Sequence, residues 1–112
     1  ARHARGDYIM FMDDDNVATE DEIATFIKVA RRTRADVLTS FVKFFSGPVP
    51  PSLEVAMAPF NPPPFVFLGG AAAVGAFRNC FGDANTMVRR EAFLEAGGFT
   101  EDYGIGYEDW EF

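Results

Sequence analysis

The sequence predicts an α/β fold, and three observations carry that prediction. An unbroken apolar run ends in three aspartates, an amphipathic helix with signals at both ends follows it, and a second β-rich run follows the helix. The first run, Tyr8-Ile9-Met10-Phe11-Met12, shows no alternation of apolar and polar residues. Such a run suits a strand buried on both faces, as in a parallel sheet flanked by helices. It stops at Asp13-Asp14-Asp15.

The helix comes next. Thr19 is placed to cap it, and Glu22 stands three residues on, where a capping box needs an acceptor. Glu20, Asp21 and Glu22 occupy the first turn and Arg31, Arg32 and Arg34 the last, so both ends complement the helix dipole. Ile23, Phe26, Ile27 and Ala30 recur at helical spacing and form one apolar stripe. Asp36 then introduces a second strand, expected over residues 37–45.

Residues 46–64 hold all seven prolines, Pro48, Pro50, Pro51, Pro59, Pro62, Pro63 and Pro64. A segment so rich in proline is a long loop, neither helix nor central strand. Residues 65–68 are compatible with a short strand, and the small residues of 69–77 give no clear assignment. Residues 84–88 read as another strand, and residues 90–96 as a short helix closed by Gly97-Gly98, with Phe99 turning back to the core. Residues 1–6 look like the tail of a helix, and residues 108–112 look like the first turn of another. The expectation is one domain, residues 1–112, that is truncated at both ends.

Composition narrows the function. The 112 residues are 48% hydrophobic with 13 Phe, enough for a core. Ten Lys and Arg against 17 Asp and Glu give a net charge of −7, which argues against general affinity for nucleic acid. No apolar run reaches the roughly 18–20 residues of a membrane span. Cys80 is the single cysteine and His3 the single histidine, so an internal disulfide, a Cys-rich zinc site and a His cluster are excluded. A reduced, cytoplasmic setting is expected, with the question of a membrane-associated parent left open.

The carboxylates are clustered. Residues 13–22 carry Asp13, Asp14, Asp15, Glu20, Asp21 and Glu22, and residues 101–111 carry Glu101, Asp102, Glu108, Asp109 and Glu111. Ligands of open α/β sheets bind beyond the carboxyl ends of strands. On an extended chain Asp13 and Asp15 point the same way, and a hard dication with a phosphate-bearing substrate would join them. The plainer alternative is a solvated acidic turn leading into the helix. An EF-hand fails, because its sixth and twelfth positions would be Ala18 and Ala24.

These residues also form a pattern that resembles family-2 glycosyltransferases of the GT-A fold. Ala4-Arg5-Gly6 with the apolar strand and Asp13-Asp14-Asp15 is similar to that family's A-x-G, strand and D-x-D stretch. Asn85 to Phe93 resembles its strand and Arg-led helix, Gly97-Gly98-Phe99 its GGF turn, and Glu108-Asp109-Trp110-Glu111-Phe112 its Glu-Asp motif. The resemblance implies a partial GT-A fold, which is Rossmann-like with a mixed sheet flanked by helices. The family's N-terminal nucleotide-binding half and C-terminal helices have no counterpart here.

It also implies an enzyme that moves a sugar from a nucleotide-diphosphate sugar to a carbohydrate or other acceptor hydroxyl, with inversion, using Mn²⁺ or Mg²⁺. Matched by position, Asp15 is the main metal ligand and Asp13 lies at the metal and the donor's ribose or sugar. Asp109 is the general base and Glu108 its neighbour in the motif. Trp110 could face a sugar ring, though a core role suits a large aromatic beside a helix start better. Without most of the donor site, the isolated chain is expected to show little or no transfer.

Two rivals remain. A haloacid-dehalogenase-like phosphohydrolase would use Asp13 as nucleophile and Asp15 as acid/base. Thr86 stands where its later motif needs an acidic residue, and no Lys follows Lys43. A non-catalytic module that binds a nucleotide sugar or a protein is the third reading.

Overall fold

The computed structural model describes residues 1–52, 54, 58–59, 61, 69–70, 72–77 and 85–100. Its elements are β1 (Tyr8–Phe11), α1 (Glu22–Thr33), β2 (Val37–Thr39), α2 (Ala72–Gly75), β3 (Thr86–Arg89) and α3 (Arg90–Glu95). The strand that arrives last stands in the middle: the sheet order is β1-β3-β2. Both pairings are antiparallel, with Phe11 opposite Thr86 and Tyr8 opposite Arg89 on one side, and Thr39 opposite Thr86 and Val37 opposite Val88 on the other. β1 and β2 therefore run the same way, as the strand–helix–strand reading requires, with β3 filling the gap between them.

Burial follows from that position. Met87 and Val88 are consecutive and both buried, so each face of β3 is covered. Phe26 and Ala30 of α1 and Phe93 of α3 complete the buried apolar set among the described residues. On the α3 side, Phe11, Phe93 and Phe99 form a triangle with ring centroids 4.9–5.2 Å apart. Two of the three contacts are edge-on, the arrangement that ring quadrupoles favour. Phe99 thus turns back as expected.

The turn before it explains how. The Gly97 N–H donates to the Leu94 carbonyl at 3.2 Å and the Gly98 N–H to the Phe93 carbonyl at 3.0 Å. That pair of bonds is a Schellman motif, with Gly97 in the left-handed region at φ 93. It closes α3 one residue earlier than predicted, at Glu95.

Several expectations need correction. β1 is half-buried along its whole length, not covered on both faces, and its neighbour is antiparallel. An apolar run cannot reveal the direction of a partner some 75 residues away. Among the described residues the sheet is antiparallel, and the mixed pairing expected of it is not seen. The second strand spans three residues, not 37–45, because Thr39 meets Thr86, the first residue of β3, and the ladder ends there. The helical tail expected over residues 1–6 is a single turn, closed by the Ala4 N–H on the Ala1 carbonyl at 3.0 Å.

The capping box does not form either. The Thr19 hydroxyl donates to Asp21 Oδ1 at 3.1 Å, and α1 starts at Glu22 with Asp21 before it and no side-chain cap. Of the predicted stripe only Phe26 and Ala30 are buried, while Ile23 and Ile27 remain 54% and 38% exposed. Arg34, placed in the last turn by the sequence, is instead the residue after the helix, in the left-handed region at φ 55.

The later expectations fare unevenly. The strand predicted over 84–88 is Thr86–Arg89, and one helical turn, Ala72–Gly75, lies in the unassigned small-residue stretch. No regular element occupies residues 46–52, and the Lys43 ammonium donates to the Ala58 carbonyl across the Pro-rich loop. The short strand at 65–68 and the helical turn at 108–112 lie outside the described residues.

Candidate functional site

β1 and β2 end where β3 begins, so one end of the sheet collects Met12 and Asp13, Ser40, and Asn85. The acidic triplet sits there. β1 stops at Phe11, and the Asn16 N–H donates back to the Asp13 carbonyl at 3.3 Å, which makes residues 13–16 a turn. Asp14 and Asp15 occupy its two central positions. The argument from an extended chain therefore does not hold past Asp13, and the two carboxylates are carried on a turn instead. Asp13, Asp14 and Asp15 are all exposed.

α1 is tied to the same end. Ser40, just past β2, donates its hydroxyl to Glu22 Oε1 at 3.2 Å. That bond links the first turn of the helix to the end of the strand, and so fixes where the segment between Asp15 and Glu22 can run. Glu22 takes this role in place of the capping box.

Asn85, the residue before β3, carries a buried Oδ1 that accepts no hydrogen bond among the described residues. A buried amide oxygen left without a donor costs about 1–3 kcal/mol. Neither Asn85 nor Ser40 is among the site residues expected from the sequence. Their significance comes from strand order, which brings residues 13, 40 and 85 to one end.

The opposite end has a different character. There the Arg89 side chain bonds Asp36 Oδ1 at 2.6 Å and Glu91 Oε2 at 2.7 Å. The hydrogen bond that Arg89 donates to Asp36 is the main cause that raises Arg89 above its ordinary value, with help from the charges of Asp36, Glu91 and Glu95 and against some desolvation. An open groove of about 770 Å³ lies here, lined in part by Arg5, Asp7, Arg89 and Arg90. It is on the far side of the sheet from the acidic turn, so it is not the cleft that Asp13 and Asp15 would serve.

Among the described residues no group of three or more His, Cys, Asp or Glu is placed to hold a metal ion. Two exposed carboxylates still fit a magnesium-like dication, which takes one or two carboxylates and completes its shell with water and substrate phosphate. Glu108, Asp109 and Trp110 lie outside the described residues. No described helix is long and apolar enough to cross a membrane.

Comparison with known proteins agrees with the sequence pattern. No curated protein and no solved structure matches the chain. A family model described as Glycosyl transferase family 2 matches residues 1–97, which include the acidic turn, the three described strands and the closing Gly97 of α3. That match sets the phosphohydrolase reading aside, and it stops short of Glu108 and Asp109. Covering well over half of the sequence, it shows that the chain belongs to glycosyl transferase family 2.

Proposed function

We propose that the acidic end of the sheet is the donor site of a metal-dependent, inverting transferase that moves a sugar from a nucleotide-diphosphate sugar to an acceptor hydroxyl. The observation that carries this reading is the place of Asp13 and Asp15, on a turn at the end where β1 and β2 stop and β3 starts, inside the stretch matched to the family. Asp15 and Asp13 would hold Mn²⁺ or Mg²⁺. Bound there, the dication supplies neutralisation of the charge that grows on the departing diphosphate. Asp13 also faces the ribose or donor sugar in this reading.

Asp109 takes the proton from the acceptor hydroxyl as that oxygen attacks the anomeric carbon, and Glu108 supports it in the same motif. Trp110 belongs to the core beside them or offers its face to a sugar ring. An acceptor hydroxyl is a poor nucleophile, so a carboxylate at this position contributes most at the transition state. The same reading holds the 112-residue chain by itself to be inactive.

The test compares wild type and Asp109→Asn in the full-length protein, with Mn²⁺ and a panel of nucleotide sugars. Loss of turnover with donor affinity retained supports the assignment. Unchanged turnover removes Asp109 from the mechanism, and donor binding without turnover in the wild type favours a binding module.

A further inference from the structure

The sheet separates charge along its strands. β1 and β2 begin, and β3 ends, at the end opposite the acidic turn. Arg5 precedes β1, Arg31 and Arg32 close α1, Arg34 caps it just before β2, and Arg89 and Arg90 finish β3 and open α3. Some of these positions are adjacent in space as well as in topology. Arg5, Arg89 and Arg90 line one groove. Arg89 binds Asp36, two residues after Arg34, and the Arg90 N–H donates to the Asp7 carbonyl at 2.8 Å.

Asp36 and Glu91 neutralise Arg89. Arg5, Arg31, Arg32 and Arg34 are exposed and form no ion pair among the described residues. At the other end Asp14, Asp15, Glu20 and Asp21 are exposed. The extended chain from Asp7 to Asp13 puts the two ends roughly 20 Å apart. The screening length at physiological salt is about 8 Å. A partner at the basic end is therefore held by the local arginines and screened from the net charge of −7.

We propose that this arginine-rich end docks on an anionic phospholipid surface. Two observations favour a bilayer over a nucleic acid. Asp7, Glu91 and Glu95 stand among the arginines of the groove, so there is no continuous basic track for a polymer whose phosphates are fixed at short intervals. Lipid headgroups move laterally and can collect against the arginines alone. On α1, Ile27 and Val29 are each 38% exposed and flank Lys28, Arg31 and Arg32, the mixture of apolar edge and basic face that sits at a headgroup boundary. Docked this way, the acidic donor end points away from the bilayer.

The inference does not depend on the donor-site reading, and its test uses neither donor nor metal. The 112-residue chain is sedimented with vesicles of phosphatidylcholine alone and of phosphatidylcholine with phosphatidylserine, at low and high salt. Binding to the anionic vesicles only, and its loss at high salt, is expected. The double variant Arg31→Gln with Arg32→Gln should bind roughly thirty-fold more weakly, at about one kilocalorie per arginine near the surface. Far-ultraviolet circular dichroism of the variant shows whether α1 persists, and the salt series on the wild type decides the matter if it does not. Equal binding to both vesicle types, no binding to either, or tighter binding of a DNA duplex would overturn the proposal.

Discussion

Gly98 lies against the ring of Phe93. A methyl group at Gly98 would stand 3.2 Å from Phe93 Cε1 and 3.4 Å from Cζ, and the residue has φ +81. The ring is itself buried and held between Phe11 and Phe99, so it has little room to give way. The adjacent glycine differs: Gly97 has φ +93 but nothing within 4 Å of an added methyl. Gly97→Ala should lose about 1 kcal/mol, from backbone strain. Gly98→Ala should lose about 2–3 kcal/mol, because the contact adds to the strain. Urea unfolding of the two variants checks the order, and equal losses would show that the ring moves freely.

Arg34 occupies a position made for glycine. Its φ of 55 and ψ of 28 are left-handed, and its N–H donates to the Ala30 carbonyl at 2.8 Å. Arg34→Gly is expected to stabilise the chain by about 0.5–1 kcal/mol, by relieving the Cβ clash of that conformation. A higher urea midpoint with an unchanged slope is the expected result.

The ion pair of Arg89 and Asp36 should be insensitive to alkali. The partner carboxylates raise the guanidinium above its ordinary value. A raised folded value means that the contribution is complete below the unfolded value and is lost only as pH climbs through the folded one. Both lie far above the pH range of the measurement. The difference in melting temperature between wild type and Arg89→Met should therefore be the same at about pH 7 and about pH 10. A difference that shrinks at the higher pH would contradict the pairing.

Asp15→Asn in the full-length protein should weaken Mn²⁺-dependent donor binding by at least about tenfold, and leave any binding measured in chelator unchanged. Isothermal titration with and without metal separates the two. Equal loss in chelator would mean that Asp15 meets the donor directly.

Much of the core was legible in the letters. The apolar run at Tyr8 marks β1, Phe26 and Ala30 were correctly assigned to the buried side of α1, and the glycine pair before Phe99 announced both a helix end and a return to the core. What escaped was decided by partners far away in sequence. β2 is short because β3 offers it three residues, and Glu22 abandons the capping box because Ser40, eighteen residues on, supplies a hydroxyl. The acidic turn was visible as three aspartates, but nothing in that stretch says that Ser40 and Asn85 stand beside it.

The insertion of β3 between two earlier strands has a consequence during synthesis. β1 and β2 emerge from the ribosome with no partner for their inner edges, and must wait for about fifty more residues before β3 can be zipped in. Through that interval the nascent chain displays two raw strand borders and its phenylalanines to its surroundings. It is then a natural client for holding chaperones, and a slower passage through codons 40–85 would lengthen the exposure.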